Sequence, residues 1–325
     1  KQEAEFNVTT HFESIQTIAD STTMPSILPH LEASLFELVN LTELTDKLMS
    51  ARSGEGGVMS QKDKYAIWDE LKILSFTQSF SAAVGISLLE VFVRVQLNII
   101  GRYLYLDSAF DVTKNELPST LSKTCQHKYL AYADFLPQKG LASVVCKVRE
   151  CAEEVLRRIT LKSELDFATL CELLVEIQES YLQAVFVEGW EKDLLPANDD
   201  NEPPQVSEEE ATDLDKVLGS ASLACSSGLA SEPQDDHKLR VLLTETRVVV
   251  QGPEFRSVLV DAIKSAVASL QEAMQAIYPA PEQSIPMPKL IPRLAAFSKV
   301  VFQHDEGHNI VAQSIVDLAS LESLC

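Results

Sequence analysis

Apolar residues along this 325-residue chain recur at helical rather than alternating spacing. Leu31, Leu35, Leu38, Leu41, Leu44 and Leu48 lie three or four apart and predict a helix reaching about residue 50. Before it, residues 1–20 read as a helical lead-in, broken at Met24-Pro25 and at Pro29, which suits the first turn of the next helix. Ser53-Gly54-Glu55-Gly56-Gly57 predicts a flexible turn. From Gln61 to Asp107 the pattern predicts one very long helix, ~65–70 Å if straight, with bends expected near Gly85 or Gly101. Its C-terminal half is apolar on nearly every face, as a helix inside a bundle is. Its first turns differ, because Asp63, Lys64, Asp69, Glu70 and Lys72 surround a tryptophan, Trp68. Lys64, Trp68 and Leu71 are spaced i, i+4, i+7 and so share one face.

Past a loop at 108–122, helices are predicted near 123–135 (up to Pro137), 139–160 and 163–190. Helical spacing resumes at about 238–250, 254–278, 288–303 and 308–323. Between them the composition changes. Asp199-Asp200-Asn201-Glu202-Pro203-Pro204 and Ser207-Glu208-Glu209-Glu210 predict a disordered acidic insertion near 195–237, with one short helix near 207–218. No repeat of 30–45 residues is visible, which argues against a solenoid. With 46% hydrophobic residues and only 11 glycines, the expectation is all-α. The architecture expected is a single elongated helical bundle, one domain over 1–325, built around helix 61–107.

Ile73 to Leu89 is uncharged, but it carries Ser75, Thr77, Gln78, Ser79, Ser81 and Ser87, and Glu90 and Arg94 follow as an i, i+4 pair. It reads as a buried core helix rather than a transmembrane span. A net charge of −21, from 27 basic and 48 acidic residues, disfavours nucleic acid as a partner and broad adhesion to anionic membranes. Six cysteines (125, 146, 151, 171, 225 and 325) contain no CxxC and read as buried free thiols. The chain opens on lysine, so it is expected to be a piece of a longer protein.

Chemistry is sparse. His304-Asp305-Glu306-Gly307-His308 offers two histidines at i, i+4, but Asp follows the first His where a zinc-protease helix needs Glu. Gly307 also weakens any helix there, so the segment reads as a loop or helix start with solvated histidines. No GxSxG, phosphate-binding loop or dinucleotide fingerprint occurs, so no catalytic residue or cofactor is expected. Gln96, Asn98 and Arg102 inside the apolar helix read as a buried network fixing register, or as a second contact surface. Trp68 is the exception. A lone tryptophan on a helix is ordinarily core, but its polar neighbours favour a half-exposed anchor for an amphipathic helix.

Several ordered strings carry a family resemblance. They are His11-Phe12-Glu13-Ser14, Ser26-Ile27-Leu28-Pro29, Ile67-Trp68-Asp69-Glu70-Leu71-Lys72-Ile73-Leu74-Ser75-Phe76-Thr77, Arg94 to Asp107, Leu243-Thr244-Glu245-Thr246-Arg247 with Pro253-Glu254-Phe255, and Pro288-Lys289-Leu290-Ile291-Pro292. Together they resemble the peroxisomal biogenesis factor three (peroxin-3) family, in its plant-like form, from about Phe12 to near the C-terminus. The resemblance is dense over 67–107 and thin over 185–238. It implies a membrane-anchored docking receptor for peroxisomal membrane proteins, with this domain facing the cytosol and an anchor preceding the first residue. It implies no enzyme activity. It also implies a partner, the N-terminal amphipathic helix of the soluble import receptor peroxin-19, received in an apolar groove. Carried over by position, Lys64, Trp68 and Leu71 match that groove on the long helix, Leu48 matches from the preceding helix, and Lys289 matches through its Pro-Lys-Leu-Ile-Pro setting. A generic cytosolic scaffold and a helical enzyme remain the alternatives that the residues themselves leave open.

Overall fold

The computed structural model describes residues 23–53, 59–111, 121–197, 233–278, 280, 283–305, 308–318 and 320–321. The lead-in at 1–20, most of the glycine turn and residues 198–232 of the acidic insertion, with its expected short helix, lie outside the described residues.

The fold is all-α around one helix. Helices α1 (Met24–Leu38) and α2 (Thr42–Ser53) precede α3, Gln61–Asp111, which is 51 residues long and ends four residues beyond expectation. After it come α4 (Lys123–Leu130), α5 (Leu141–Leu156), α6 (Phe167–Glu188) and the single turn α7 (Glu191–Leu194). The last four are α8 (Pro233–Gln251), α9 (Pro253–Met274), α10 (Met287–Val300) and α11 (Ile310–Val316). Helices α1, α5, α8, α9, α10 and α11 all pack on α3. Every residue from Ser75 to Gly101 is buried. By length and composition α3 is apolar enough to cross a membrane, but its most apolar stretch lies entirely inside the fold.

Most polar side chains on this buried rod are bonded, as burial demands, while the Ser79 and Ser81 hydroxyls are buried without a hydrogen-bond partner. Ser75, Thr77 and Ser87 donate their hydroxyls to carbonyls one turn back. Gln78 donates to the Val39 carbonyl (2.9 Å) and accepts from Ser298 (2.6 Å), and Gln96 donates to the Tyr129 carbonyl (2.8 Å). The expected pair forms inside the core, with Arg94 Nη2 2.7 Å from Glu90 Oε1. Arg102, by contrast, is exposed and pairs with Glu245 of α8, so it stands outside any buried network.

Several boundaries differ from expectation. Met24-Pro25 opens α1 itself, because proline's fixed φ fits a first turn; the lead-in it was expected to break lies outside the described residues. Pro29 sits within α1, where its missing N–H removes a single bond, to the carbonyl of Pro25. The helix expected to reach residue 50 instead stops at Leu38, and α2 restarts at Thr42, whose N–H is accepted by Asn40 Oδ1 at 2.9 Å. No interruption occurs in α3 at Gly85 or Gly101. A Cβ at Gly85 would lie 3.3 Å from Leu31, so this glycine lets α1 pack close. Pro137 likewise does not end a helix: the chain stays helical through a 3-10 turn (Ala131–Asp134) and a π turn (Leu136–Gly140) into α5. A Cβ at Gly140 would fall 1.8 Å from the Asp193 carbonyl oxygen, so only glycine fits there.

Two short antiparallel pairings were not foreseen. β1 (Glu164–Leu165) pairs with β2 (Ile285–Pro286), and Met287 N–H donates to Ser163 O at 3.0 Å, tying down the first turn of α10. β3 (His304–Asp305) pairs with β4 (His308–Asn309), so the two-histidine segment is a hairpin. The thiols are also not uniformly buried. Cys125 and Cys151 are, but Cys146 is exposed and Cys171 half-buried.

Candidate functional site

The first turns of α3 emerge from the bundle with a defined start. Ser60 Oγ accepts from the Asp63 N–H (3.1 Å) and its hydroxyl donates to Asp63 Oδ2 (2.7 Å), a reciprocal cap. Two charges that the sequence places around Trp68 turn out to belong to the scaffold. Lys72 is buried, and its ammonium donates to Asp69 (2.7 Å) and to the Leu156 and Ile159 carbonyls (3.3 and 2.7 Å). It therefore satisfies carbonyls at the end of α5, where a cation also suits the helix dipole. Glu70 pairs with Arg149 of α5 at 2.8 Å. The polar turn thus clamps α3 to α5 on one side and leaves the Trp68 face to the other.

On that face a groove of about 480 Å³ opens between α2, α3 and α10. Leu41, Leu48 and Met49 form one wall, Trp68 and Leu71 the floor, and Ile291, Pro292 and Ala295 the opposite wall. Trp68 is half-buried, packed against the core but not sealed within it. Leu48 and Lys64 are half-buried as well, whereas Leu71 is nearly covered at 4% exposure. Met49, at 66% exposure, and Tyr65, at 48%, are large apolar side chains left open at this end of the molecule. The volume falls within the ~300–1,000 Å³ of pockets that bury compact ligands.

Four of the five expected residues, Leu48, Lys64, Trp68 and Leu71, therefore line one groove. Lys289 does not line it; it is exposed on the first turn of α10, two residues before Ile291. The groove is also lined by Leu41, Thr45, Met49, Ser75, Ile291, Pro292 and Ala295, which the sequence reading did not single out. The Pro-Lys-Leu-Ile-Pro string lies on a helix that lines the groove, but its buried and groove-facing residues follow the lysine.

Fold and groove together define a class: all-α proteins built on a through-running helix whose uncovered end carries an open apolar groove. This chain belongs to the Peroxin-3 family, whose family profile matches residues 50–325 and so includes α3 and α10. It is 29% identical over 268 residues to Peroxisome biogenesis protein 3-1 of Arabidopsis thaliana, covering 82% of this chain and 67% of that protein. It is 31% identical over 296 residues to Peroxisomal biogenesis factor 3 of Homo sapiens, covering 87% of this chain and 73% of that protein. A shorter match, 29% over 132 residues and 36% of this chain, joins it to Peroxisomal membrane protein PEX3 of Komagataella phaffii.

Proposed function

We propose that this chain is a non-enzymatic docking receptor in peroxisome biogenesis, acting at the peroxisomal membrane with the described bundle facing the cytosol. Its partner is the N-terminal amphipathic helix of peroxin-19, which delivers membrane-protein cargo and lays a Phe/Leu face into the Trp68 groove. The observation that carries this reading is a half-exposed tryptophan on the floor of an open, mostly apolar groove. Family membership and the relatives' names support the process.

Burial of apolar surface on Trp68 and the flanking leucines provides the affinity, at about 25 cal/mol per Å² before ordering costs are subtracted. Lys64 at the rim would pair with a carboxylate on the incoming helix and fix its direction. An open, mostly apolar groove between helices suits the helix-in-groove mode of recognition.

Titrating the chain with the peroxin-19 N-terminal peptide should perturb Trp68 emission while the buried Trp190 stays constant. Trp68→Ala should weaken binding by at least ~2 kcal/mol, the scale of an interface hot spot. A folded Trp68→Ala variant that binds the peptide as tightly as the parent protein would falsify the assignment.

A further inference from the structure

A second groove adjoins the first. It encloses about 730 Å³ between α1, α2 and α10. The two share Leu41, Thr45 and Ala295, so they form one trough pinched at the start of α2. Along α10 the lining advances in one direction: Ile291 and Pro292 face the first groove, Ala295 both, and Ala296 and Lys299 the second. From residue 291 to 299 that is ~12 Å of helix.

The second groove has a different chemistry from the first. Phe36 supplies apolar surface, while Asn40, Thr42 and Thr45 supply polar groups. Glu32 and Asp46 stand on its walls and disfavour a carboxylate along most of its length. Lys299 is the exception, exposed at the far end with its ammonium 5.9 Å from the Phe36 ring centroid. Lys64 stands at the opposite end of the trough, and neither lysine forms an ion pair among the described residues.

We infer that the second groove receives the polypeptide that continues from the docked amphipathic helix: a stretch of small, apolar and uncharged polar side chains with a carboxylate at its Lys299 end. This rests on the docking function proposed for the Trp68 groove. Continuity through Leu41, Thr45 and Ala295 makes the second groove the path for the next residues of any chain seated in the first. Two lysines at the ends of a trough in a chain of net charge −21 set where acids on the partner are tolerated.

The test uses the full 325-residue chain and two labelled peroxin-19 fragments. One is the anchoring helix alone; the other is the same helix with its natural flanks on both sides. Ala296→Trp fills the second groove at an exposed position that does not line the first, and Lys299→Glu reverses its end charge. By fluorescence anisotropy each should weaken the longer fragment about five- to tenfold and leave the short one within about twofold, the range expected for interface contacts outside the hot spot. Trp68→Ala should weaken both. If Trp68→Ala weakens both but neither second-groove variant affects the longer fragment, this inference falls and the docking reading stands. Equal weakening of both fragments by Ala296→Trp also overturns it, because the effect then acts through the first groove. A concentration-dependent dimer, abolished by Ala296→Trp in sedimentation, would assign the groove to a second copy and overturn it. If Trp68→Ala affects neither fragment, the docking reading itself fails and takes this inference with it. Should Ala296→Trp fail to fold, the surface change Lys299→Glu still decides the outcome.

Discussion

Between Ser75 and Gly101 the long helix is covered on every side, whereas between Gln61 and Leu74 only Leu71 and Lys72 are buried. The two stretches belong to one continuous helix, yet they are held by different forces. In the covered stretch, apolar side chains from the surrounding helices provide the contact, and most polar side chains bond inward. In the uncovered stretch, electrostatics does more of the work. Glu70 reaches Arg149 and Lys72 reaches the end of α5, so the helix is fixed along one side without apolar cover on the other. Polar anchoring is what allows a tryptophan to stay partly open. A rigid rod that presents a preformed groove loses little conformational freedom on binding, which favours affinity.

This contrast predicts a crossing of effects. Phe80 lies in the covered stretch at 0% exposure, in edge contact with Tyr181 at a 6.0 Å centroid distance. Phe80→Ala should cost about 3–5 kcal/mol of stability, as truncation of a packed aromatic does. The folded fraction should still bind the amphipathic peptide within about twofold, because Phe80 does not line the groove. Trp68→Ala should do the reverse, with a smaller loss of stability and the larger loss of binding. Urea unfolding followed by circular dichroism, run beside peptide titration on both variants, separates the two. If Trp68→Ala proved the more destabilising, the uncovered end would be part of the core and the contrast would disappear.

How far these two regions were legible in the sequence follows from the same difference. The covered stretch announces itself, since a long run with apolar residues on nearly every face has no alternative but burial. The Glu90–Arg94 pair was readable too, because i, i+4 spacing fixes it before any tertiary contact exists. Trp68, Lys64 and Leu71 could be grouped because they sit on one helix at set spacing. The opposite wall could not, since Ile291, Pro292 and Ala295 reach the groove only because α10 packs on α3, with its first turn tied by the β1–β2 pairing. That contact joins residues more than a hundred positions apart and leaves no local signal. Lys72 misled for a related reason. Its neighbours suggest a solvated face, but its partners are the Leu156 and Ile159 carbonyls, at and just past the end of α5, brought in by tertiary packing. The break at Val39–Leu41 was missed because the leucine periodicity continues across it, while Asn40, which caps the restart, looks in sequence only like a polar helix residue.

Lys72 also sharpens the comparison, because it lies one turn from Trp68 yet belongs to the scaffold. Lys72→Met keeps the length of the side chain and removes its donors, leaving two carbonyls at the end of α5 without this partner. The expected loss is about 1 kcal/mol of stability, the net worth of a hydrogen bond, because Leu156 O keeps the Ile159 N–H and the half-buried Ile159 O can turn to water. Peptide affinity should stay within about twofold, since Lys72 does not line the groove. Thermal unfolding together with the peptide titration checks both halves. A variant that keeps full stability but loses binding would move Lys72 from the clamp to the docking surface.

The smallest effects concern the two lysines of the expected site, and here position should outweigh charge. Lys64 is half-buried and lines the groove, whereas Lys289 is exposed and does not. Both carry the same charge, but a cation at the edge of a low-dielectric groove acts on a bound carboxylate more strongly than one in open solvent. Lys64→Ala should therefore weaken the peptide about three- to fivefold at low ionic strength, and Lys289→Ala by no more than about twofold. Raising the salt from about 0.05 M to 0.5 M shortens the Debye length several-fold and should erase the Lys289 effect first. Calorimetric titrations at the two salt concentrations make the comparison directly. Equal losses for the two variants, fading together with salt, would show that both lysines act as distant charges and that the groove rim does not begin at Lys64.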